Sequence, residues 1–326
     1  MSSKLAREAF NRSLSFLATE ARPLERAQAV VHFRKASSEC VWDELLAYQN
    51  DNGGFGHGLE PDVRTPSSSS LATAWALRVM RETGCSAEHP MVQGAVQFLI
   101  ETYDPKKRVW RVVPEDANNY PHAPWWHNED GSLSRTFNSY LIIPRALIVS
   151  HLHAYAELVP NRLLSEVTES AVEALEQVSV LGEGGGSDLE YAVELAQTPA
   201  LPQAFRARLE ARILRAIPDV IIRDADKWST YCITPLRAVR TPAALGAHLI
   251  QDELSEHLDY VIRDQQPDGS WNPTWTWGEA YPDVWLQARS EWQGILTLEN
   301  LTVLDAFGRI EPEPIKSTSD EAKFQV

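Results

Sequence analysis

The chain has 326 residues, of which 44% are hydrophobic, so it can bury a substantial core in one large domain or two ordinary ones. Its formal net charge of −15 argues against a nucleic-acid partner, because such binding depends on clustered lysine and arginine. Three cysteines without a CxxC pair indicate neither a disulfide framework nor a cysteine-rich zinc site. No run of about 18 apolar residues occurs, which argues against an integral membrane protein. We therefore expect a cytoplasmic globular protein.

Apolar residues recur at helical spacing through most of the chain, and the alternation typical of strands is almost absent. The segment 23–35 gives a less clear signal, and a run of serines at 67–70 supplies N-caps for the helix that follows it. No domain boundary is evident, so we expect one helical domain over 1–310 and a polar tail over 311–326. Helices are predicted at 4–20, 39–49, 71–81, 90–103, 135–159, 161–178, 187–197, 202–216, 247–264 and 287–306.

A short motif occurs twice in the same frame. QNDNGGFG at 49–56 and QQPDGSW at 265–271 both read Gln-x-x-x-Gly-x-aromatic. Each copy follows a helix-like run and is followed, after a polar loop, by a second helix. The segment 104–110 looks like a degenerate turn of the same kind. A supersecondary unit that recurs within one chain indicates a repeat architecture.

The alternation of helices and turns predicts how the repeats assemble. If the helix before each turn is on the outside and the helix after it on the inside, the chain closes into a single all-α toroid. All outer-to-inner loops then reach one rim. The loops 53–69, 104–134 and 272–287 would converge there, and they are the loops richest in His, Asp, Glu, Arg and Trp.

The two turns resemble the QW repeat of squalene–hopene cyclases and of the wider group of terpenoid cyclases and protein prenyltransferases. That resemblance implies an (α/α)6 barrel with a central cavity, in which the glutamine and the aromatic residue tie successive helices together. The chain departs from the family at its chemical motifs. The Asp-x-Asp-Asp acid of class II cyclases is matched only by DADK at 224–227, and no cysteine lies in the context of a prenyltransferase zinc ligand. The resemblance therefore concerns the fold and does not assign a reaction.

The first candidate site directly follows the first glycine turn, in HGLEPDVR at 57–64. A carboxyl group in a dry, aromatic-lined cavity has a raised pKa and can act as a general acid near neutral pH. Arg64 could hold a second carboxylate ionised, so that the pair divides the acid and base roles. We predict catalytic roles for Asp62, Glu60 and His57. The alternative is that Glu60 and Asp62 cap the next helix and pair with Arg64 at the surface.

The second candidate is YPHAPWWH at 120–127, where Trp125 and Trp126 lie between His122 and His127. These rings would suit stacking on a sugar or stabilisation of a cation. The alternative is a rigid lid that is packed for stability. Together with His57 the two histidines could bind a metal, but no HExxH-like spacing occurs, so we predict neither a metal nor another cofactor.

The third candidate is the segment 271–285, which takes the place in the second copy that GHGLEPDVR has in the first. Trp275 and Trp277 alternate and would face the same way in an extended chain. Asp283 follows a proline and precedes a valine, as Asp62 does, so we expect the two to face each other across the rim. Either aspartate could instead only form a turn, and the loop tryptophans could only attach loops to the domain. The predicted substrate-binding set is Arg64, Trp75, Trp125, Trp126, His127, Arg135, Trp275, Trp277 and Tyr281.

The sequence predicts an enzyme that uses an acid to start the cyclisation or isomerisation of a small isoprenoid-like molecule in an aromatic-lined cavity. Two alternatives stay open. One is a carbohydrate-active enzyme, a glycoside hydrolase or polysaccharide lyase, since α/α barrels also carry paired acids and sugar-stacking tryptophans. The other is a non-catalytic ligand-binding or scaffold protein. A closed apolar cavity favours cyclisation, and an open groove favours a sugar.

Overall fold

The computed structural model describes residues 3–128, 144–178, 180–181 and 187–313. Within these ranges the chain is mostly α-helical, which confirms the all-α prediction. Its two strands, β1 (Tyr103–Asp104) and β2 (Val109–Trp110), form one short antiparallel hairpin. The predicted substrate-binding residue Arg135 lies outside the described residues, as does the tail beyond residue 313.

Twelve α-helices follow one another in the described part of the chain. Most begin and end within a few residues of the predicted bounds, and the uncertain segment 23–35 contains a regular helix. The helices are α1 (Arg7–Thr19), α2 (Pro23–Arg34), α3 (Glu39–Leu45), α4 (Ser70–Glu82), α5 (Pro90–Thr102), α6 (Arg145–Ala154), α7 (Asn161–Gln177), α8 (Ser187–Ala196), α9 (Gln203–Val220), α10 (Pro235–Ala238), α11 (Gln251–Arg263) and α12 (Pro282–Ala306).

Helix starts follow simple local chemistry. The serine run before α4 caps it as predicted, because the Ser69 hydroxyl accepts a hydrogen bond from the Ala72 backbone N–H at 3.0 Å. Helix α12 begins five residues earlier than predicted, at Pro282. Proline suits the first position of a helix, where its missing N–H would have no intrahelical partner.

The two glycine turns share one geometry. Gly53 and Gly269 have φ angles of 82° and 93°, which only glycine adopts without strain. The Gln49 side-chain amide donates to the Gly53 carbonyl at 2.9 Å, and that of Gln265 to the Gly269 carbonyl at 3.5 Å. Each glutamine therefore holds its own turn closed.

The aromatic residue of each copy is attached to the helix that follows the turn. The Phe55 N–H donates to the hydroxyl of Thr73 in α4 at 3.0 Å, and the Trp271 N–H donates to that of Thr297 in α12 at 3.3 Å. All four residues are buried. The motif is thus a joint between a helix and its successor.

The segment predicted as a degenerate third turn is instead the β1–β2 hairpin. It keeps one feature of the second copy. The Trp110 indole N–H donates to the Leu99 carbonyl in the preceding helix at 2.7 Å, and the Trp271 indole donates to Val261 in the same way at 2.8 Å. The tryptophan is therefore retained as an attachment point although the glycine turn is absent.

The helices pack in an order that brings the two ends of the described chain together. Helix α2 packs on α1, α3 and α12, α4 on α5 and α6, α6 on α7 and α8, and α8 on α9 and α10. Helix α1 also packs on α12 and contacts the second glycine turn, where the Ser13 hydroxyl donates to the Gly269 carbonyl at 2.6 Å. Leu5 pairs with Ile310 in a parallel bridge beside them.

Besides the main core between the helices, the loops contain a core of their own. We call it the loop cluster. Trp75 packs against both cores, and Trp125 and Trp285 pack partly buried against the loop cluster. Many of the loop tryptophans thus attach loops to the domain, which was the alternative to a binding role. The loop cluster consists of Val63, Leu71, Val112, Val113, Ala117, Ala123, Trp126, Trp277 and Ala288.

Candidate functional site

The loop after the first glycine turn is held against the loop that contains YPHAPWWH. The Arg64 N–H donates to the Pro121 carbonyl at 3.1 Å, and the Ala123 N–H donates to the Asp62 carbonyl at 2.8 Å. Val63 and His122 form an antiparallel bridge between these bonds. Two of the three candidate segments are therefore in direct contact.

Asp62 is buried at the meeting point of several indoles. Its Oδ1 accepts the indole N–H groups of Trp277 and Trp292, both at 2.8 Å. Burial raises the pKa of Asp62, while these two hydrogen bonds, the nearby Trp275 indole and Arg64 lower it, and the result is about 6. The Trp275 N–H itself makes no hydrogen bond with the described residues. Asp62 is thus a carboxyl group in an aromatic environment, as predicted.

Glu60 is buried beside Asp62. Burial, and then the charge of Asp62, raise the pKa of Glu60 well above its ordinary value. Its Oε2 has no hydrogen-bond partner among the described residues, and a pocket of about 10 Å³, roughly the room one water molecule needs, adjoins it. Two interacting carboxyls titrate as a pair, so Glu60 keeps its proton to a higher pH than an isolated glutamate does.

We expect Asp62→Asn to stabilise the protein at neutral pH. The folded pKa of about 6 exceeds the ordinary value of 3.8, so the stability of the wild-type chain falls as pH rises from about 4 to about 6. Asparagine keeps an acceptor for the indoles without the buried charge. The free energy of unfolding in urea should rise by about 2–3 kcal/mol at pH 7.5 and by less than half as much at pH 4.5.

The exposed Asp283 provides the matched control, since Asp283→Asn should leave stability unchanged at both pH values. A loss of stability in Asp62→Asn at pH 7.5 would mean that the ionised carboxylate stabilises the fold.

Three of the other predicted site residues are exposed and do not join the buried pair of carboxyl groups, Glu60 and Asp62. His57 is exposed and its Nε2 is 2.8 Å from Asn50 Oδ1. Asp283 is exposed in the first turn of α12, and none of the described contacts joins it to Asp62. Tyr281 is 41% exposed. Arg64 lies next to the pair, but it forms a two-pronged ion pair with Glu291, with Nη–Oε distances of 2.5 and 3.1 Å.

The two histidines of the second candidate segment bind each other. His122 Nδ1 donates to the Tyr120 carbonyl at 2.6 Å, so in the neutral form its Nε2 accepts from His127 Nδ1 at 3.0 Å. Their rings are stacked, and Tyr281 lies 5.7 Å from the His122 ring. In the described part of the chain no group of three His, Cys, Asp or Glu residues is placed to hold a metal.

A much larger cavity lies between α2, α4, α8, α10 and α12. Its volume is about 720 Å³, within the range of small-molecule sites. Trp75 is the only tryptophan among its described lining residues, and the wall combines aliphatic side chains, such as Leu24, Leu59 and Leu298, with charged ones. It carries five arginines and five glutamates: Arg22, Arg78, Arg81, Arg237, Arg240, Glu25, Glu82, Glu190, Glu194 and Glu299.

The cavity opens away from the glycine turns. Its exposed lining residues lie at or just beyond the carboxyl ends of α4, α6, α8, α10 and α12, and they are Glu82, Ala154, Gln197, Pro199, Thr241 and Ala306. The opposite end is closed by the first glycine loop, where Arg22 Nη1 donates to the Gly58 and Leu59 carbonyls at 3.2 and 3.0 Å. The loop-rich rim that the sequence analysis favoured is therefore the floor of the cavity.

A continuous set of ion pairs crosses the cavity wall. We call it the cavity network, and it consists of Arg81, Glu194, Arg78, Glu190, Arg240 and Glu299. Arg78 binds Glu194 at 2.6 Å and Glu190 at 3.2 Å, and Arg81 also binds Glu194. Arg240 lies 3.6 Å from both Glu190 and Glu299. Burial alone would raise the pKa of Glu194, but the charges of Arg78, His151 and Arg81 lower this pKa to about 2.

Glu82 differs from the other glutamates of the wall. Glu82 makes no hydrogen bond or ion pair with the described residues. Its side chain is accessible to solvent at the opening of the cavity, although protein surrounds it on most sides. Partial desolvation raises the pKa of Glu82, and Glu194 adds to this, whereas Arg78 opposes it. Glu82 therefore keeps its proton to a higher pH than an ordinary glutamate.

Sequence reasoning did not single out Glu82 or the cavity network. A usable signal was present, because Glu190 and Glu194 are four residues apart and therefore share one face of α8. Arg78, Arg81 and Glu82 likewise recur at helical spacing on the helix predicted to be on the inside. Charges on a face expected to be internal indicate a polar cavity.

No protein-family model matches the chain, and comparison with curated proteins found none that is similar. Among the described residues no helix is both long and apolar enough to cross a membrane.

Proposed function

We propose that the twelve helices form an (α/α)6 toroid, with the even-numbered helices as the inner layer. Three observations support this arrangement. Successive even-numbered helices from α4 to α10 pack on one another, α12 packs on both α1 and α2, and the large cavity lies between even-numbered helices. This is also the fold that the resemblance to terpenoid cyclases implies.

Within this toroid we propose that the protein is an enzyme that performs general acid–base catalysis on a small polar molecule in the cavity. The observation that carries the proposal is the opposite shift of two neighbouring glutamates. The pKa of Glu82 is raised and that of Glu194 is lowered, and both side chains line the same cavity. Environments that separate two carboxyl pKa values divide the acid and base roles between them. Glu82 is the proton donor, and Glu194 is the ionised partner.

The substrate that fits this wall is neutral and hydroxylated, such as a sugar. The five arginines and five glutamates of the wall balance each other, so the cavity offers many donors and acceptors with little net charge. Trp75 supplies an aromatic surface for a sugar ring. An apolar isoprenoid would desolvate these charges without forming hydrogen bonds to them, which is unfavourable. The carbohydrate-active alternative therefore fits the cavity better than cyclisation.

Glu82→Gln tests this role. Glutamine keeps the shape of the side chain but does not act as an acid, so turnover should fall about 100-fold or more while substrate affinity changes little. The assay is release of reducing sugar from a panel of oligosaccharides, whose leaving groups need the proton, and p-nitrophenyl glycosides, whose p-nitrophenolate leaves without one, should lose less turnover. Substrate binding is followed by isothermal titration calorimetry with the same compounds.

Glu88→Gln is the matched control, because Glu88 is exposed and does not line the cavity. Its turnover should equal that of the wild-type chain. Equal turnover of Glu82→Gln and Glu88→Gln would exclude Glu82 as the acid. The absence of any turnover or binding across the whole sugar panel would overturn the substrate class.

A second candidate function is the acid-initiated cyclisation predicted from the sequence. It is favoured by one observation, the buried Asp62 carboxyl with a pKa of about 6 among indoles that can stabilise a carbocation. In that case farnesyl and geranylgeranyl diphosphates or squalene would be converted by the wild-type chain. Asp62→Asn would abolish this conversion, and Glu82→Gln would not.

A further inference from the structure

Asp62 is connected to the cavity through two tryptophans. Its Oδ1 accepts the indole N–H of Trp292 in α12, and the Trp292 ring packs edge to face on that of Trp75 in α4. The two ring centres are 5.6 Å apart and the planes meet at 81°. Trp75 lines the cavity, whereas Asp62 and Trp292 do not. The carboxylate therefore lies one indole layer behind the cavity floor.

The position of Trp75 depends on few polar contacts. Its own N–H donates to the Tyr191 hydroxyl at a long 3.3 Å, and its ring is otherwise placed by its neighbours. Trp292 is one of these, and its ring is enclosed on another side by Trp275, 4.9 Å away at 84°. Rotation of Trp292 would therefore remove an edge contact from Trp75.

The Asp62 carboxylate restricts this rotation. One oxygen accepts two indole N–H groups at 2.8 Å, from Trp292 and from Trp277, and charge-assisted bonds of this kind are shorter and stronger than neutral ones. Trp277 is fully buried in the loop cluster, so it gives the carboxylate a fixed support. The chain of contacts thus runs from the loop core, through Asp62 and Trp292, to the cavity wall.

We infer that Asp62 is a positioning residue, which holds Trp292 so that the ring of Trp75 forms a rigid floor for the ring of a cavity ligand. The ligand part of this inference rests on the proposed function, whereas the placement of Trp75 does not. Two different readouts therefore test them separately.

The placement is tested by fluorine NMR of the protein labelled with fluorotryptophan. The Trp75 resonance is assigned by its loss in Trp75→Phe. Asp62→Leu and Trp292→Phe, which each remove the bond between Asp62 and Trp292, should shift or broaden the Trp75 resonance. Asp62→Asn, which keeps an acceptor, should restore the wild-type position. An unchanged Trp75 resonance in Asp62→Leu would overturn the inference, because Trp292→Phe also removes a ring that contacts Trp75 directly.

Trp277→Phe is the matched control, because Trp277 shares the same carboxylate oxygen but is not among the ring contacts of Trp75 or Trp292. It should move the Trp75 resonance less than Trp292→Phe does. Should Asp62→Leu fail to fold, Asp62→Ala takes its place, because it removes the same acceptor and leaves the Trp292 ring present. Equal shifts in Trp277→Phe and Trp292→Phe would indicate a general loosening of the loops instead.

The ligand part is tested with the p-nitrophenyl glycoside that binds best to the wild-type chain. Trp292→Phe should displace the Trp75 ring and thereby raise KM for this glycoside about 10-fold or more. It should change kcat by no more than a few-fold, because the proposed proton donor, Glu82, is not affected. Asp62→Asn, which keeps the hydrogen-bond acceptor, should retain most of the wild-type affinity for the glycoside. A loss of kcat at unchanged KM in Asp62→Asn would instead make Asp62 a catalytic residue and would overturn its positioning role. If no glycoside binds, the proposed function fails while the NMR result still stands.

Discussion

Gly269→Ala should destabilise the folded chain by about 3–5 kcal/mol or prevent folding. A Cβ at this position would lie 2.5 Å from the carbonyl carbon of Arg12 and 2.6 Å from the Ser13 nitrogen. These are backbone atoms of α1, so they cannot move without lifting that helix from the last glycine turn. The φ angle of 93° adds strain for any residue with a side chain. Urea unfolding followed by circular dichroism measures the loss.

The strain and the clash can be separated with Gly84→Ala. Gly84 also has a positive φ of 73°, but a Cβ there meets no atom within 4 Å. This substitution should cost only about 1 kcal/mol. Gly53→Ala should resemble Gly269→Ala, since its Cβ would lie 2.4 Å from the Gly94 carbonyl oxygen. A loss for Gly269→Ala no larger than that for Gly84→Ala would show that α1 does not dock tightly on the second turn.

The second large effect is expected for Glu194→Ala, with a loss of about 2–4 kcal/mol at pH 7. The substitution removes the carboxylate that binds both Arg78 and Arg81, whose side chains are only 18% and 29% exposed. Arg78 keeps Glu190 as a partner, and water partly screens Arg81, so the loss stays below that of a fully buried pair. Thermal and urea unfolding measure it.

The pH dependence of this loss has a definite sign. The pKa of Glu194 is about 2 in the folded chain against an ordinary 4.5, so its stabilising contribution is complete above about pH 4.5 and is lost as pH falls towards 2. The difference between Glu194→Ala and the wild-type chain should therefore shrink below pH 4.

The control for Glu194→Ala is Glu176→Ala, which breaks a two-pronged pair with Arg208 that is more than a third exposed on both sides. It should cost less than about 1 kcal/mol. If both substitutions cost the same, the cavity network does not hold Glu194 ionised, and the proposed division of acid and base roles fails.

Local patterns predicted most of the helices, because the spacing of apolar residues and the capping residues lie within one segment. The glycine turns were predictable for the same reason, since Gly53 and Gly269 need a left-handed backbone whatever surrounds them. The segment 104–110 was predicted less well. Its tryptophan bond to Leu99 resembles that of the second copy, yet its strands pair as a hairpin, which no glycine marks in the sequence.

The site was predictable only in part. Glu60 and Asp62 were expected as acids in an aromatic setting; both are buried, and Asp62 accepts hydrogen bonds from two indoles. Their partners were not predictable, because Trp277 and Trp292 lie 215 and 230 residues from Asp62 in the chain. Asp283 shares the local pattern of Asp62 but is exposed, since the surroundings that bury a side chain come from other elements.

The sequence by itself determined most of the helices and the two glycine turns. Only the tertiary structure decided where the cavity opens and which residues line it. The spacing of Glu190 and Glu194 on one helix face is also found on solvent-exposed helices, so it indicates a cavity only when the helix is already expected to be internal. The packing of several helices around one space turns that face inward, and in doing so it shifts the pKa values of Glu82 and Glu194 in opposite directions.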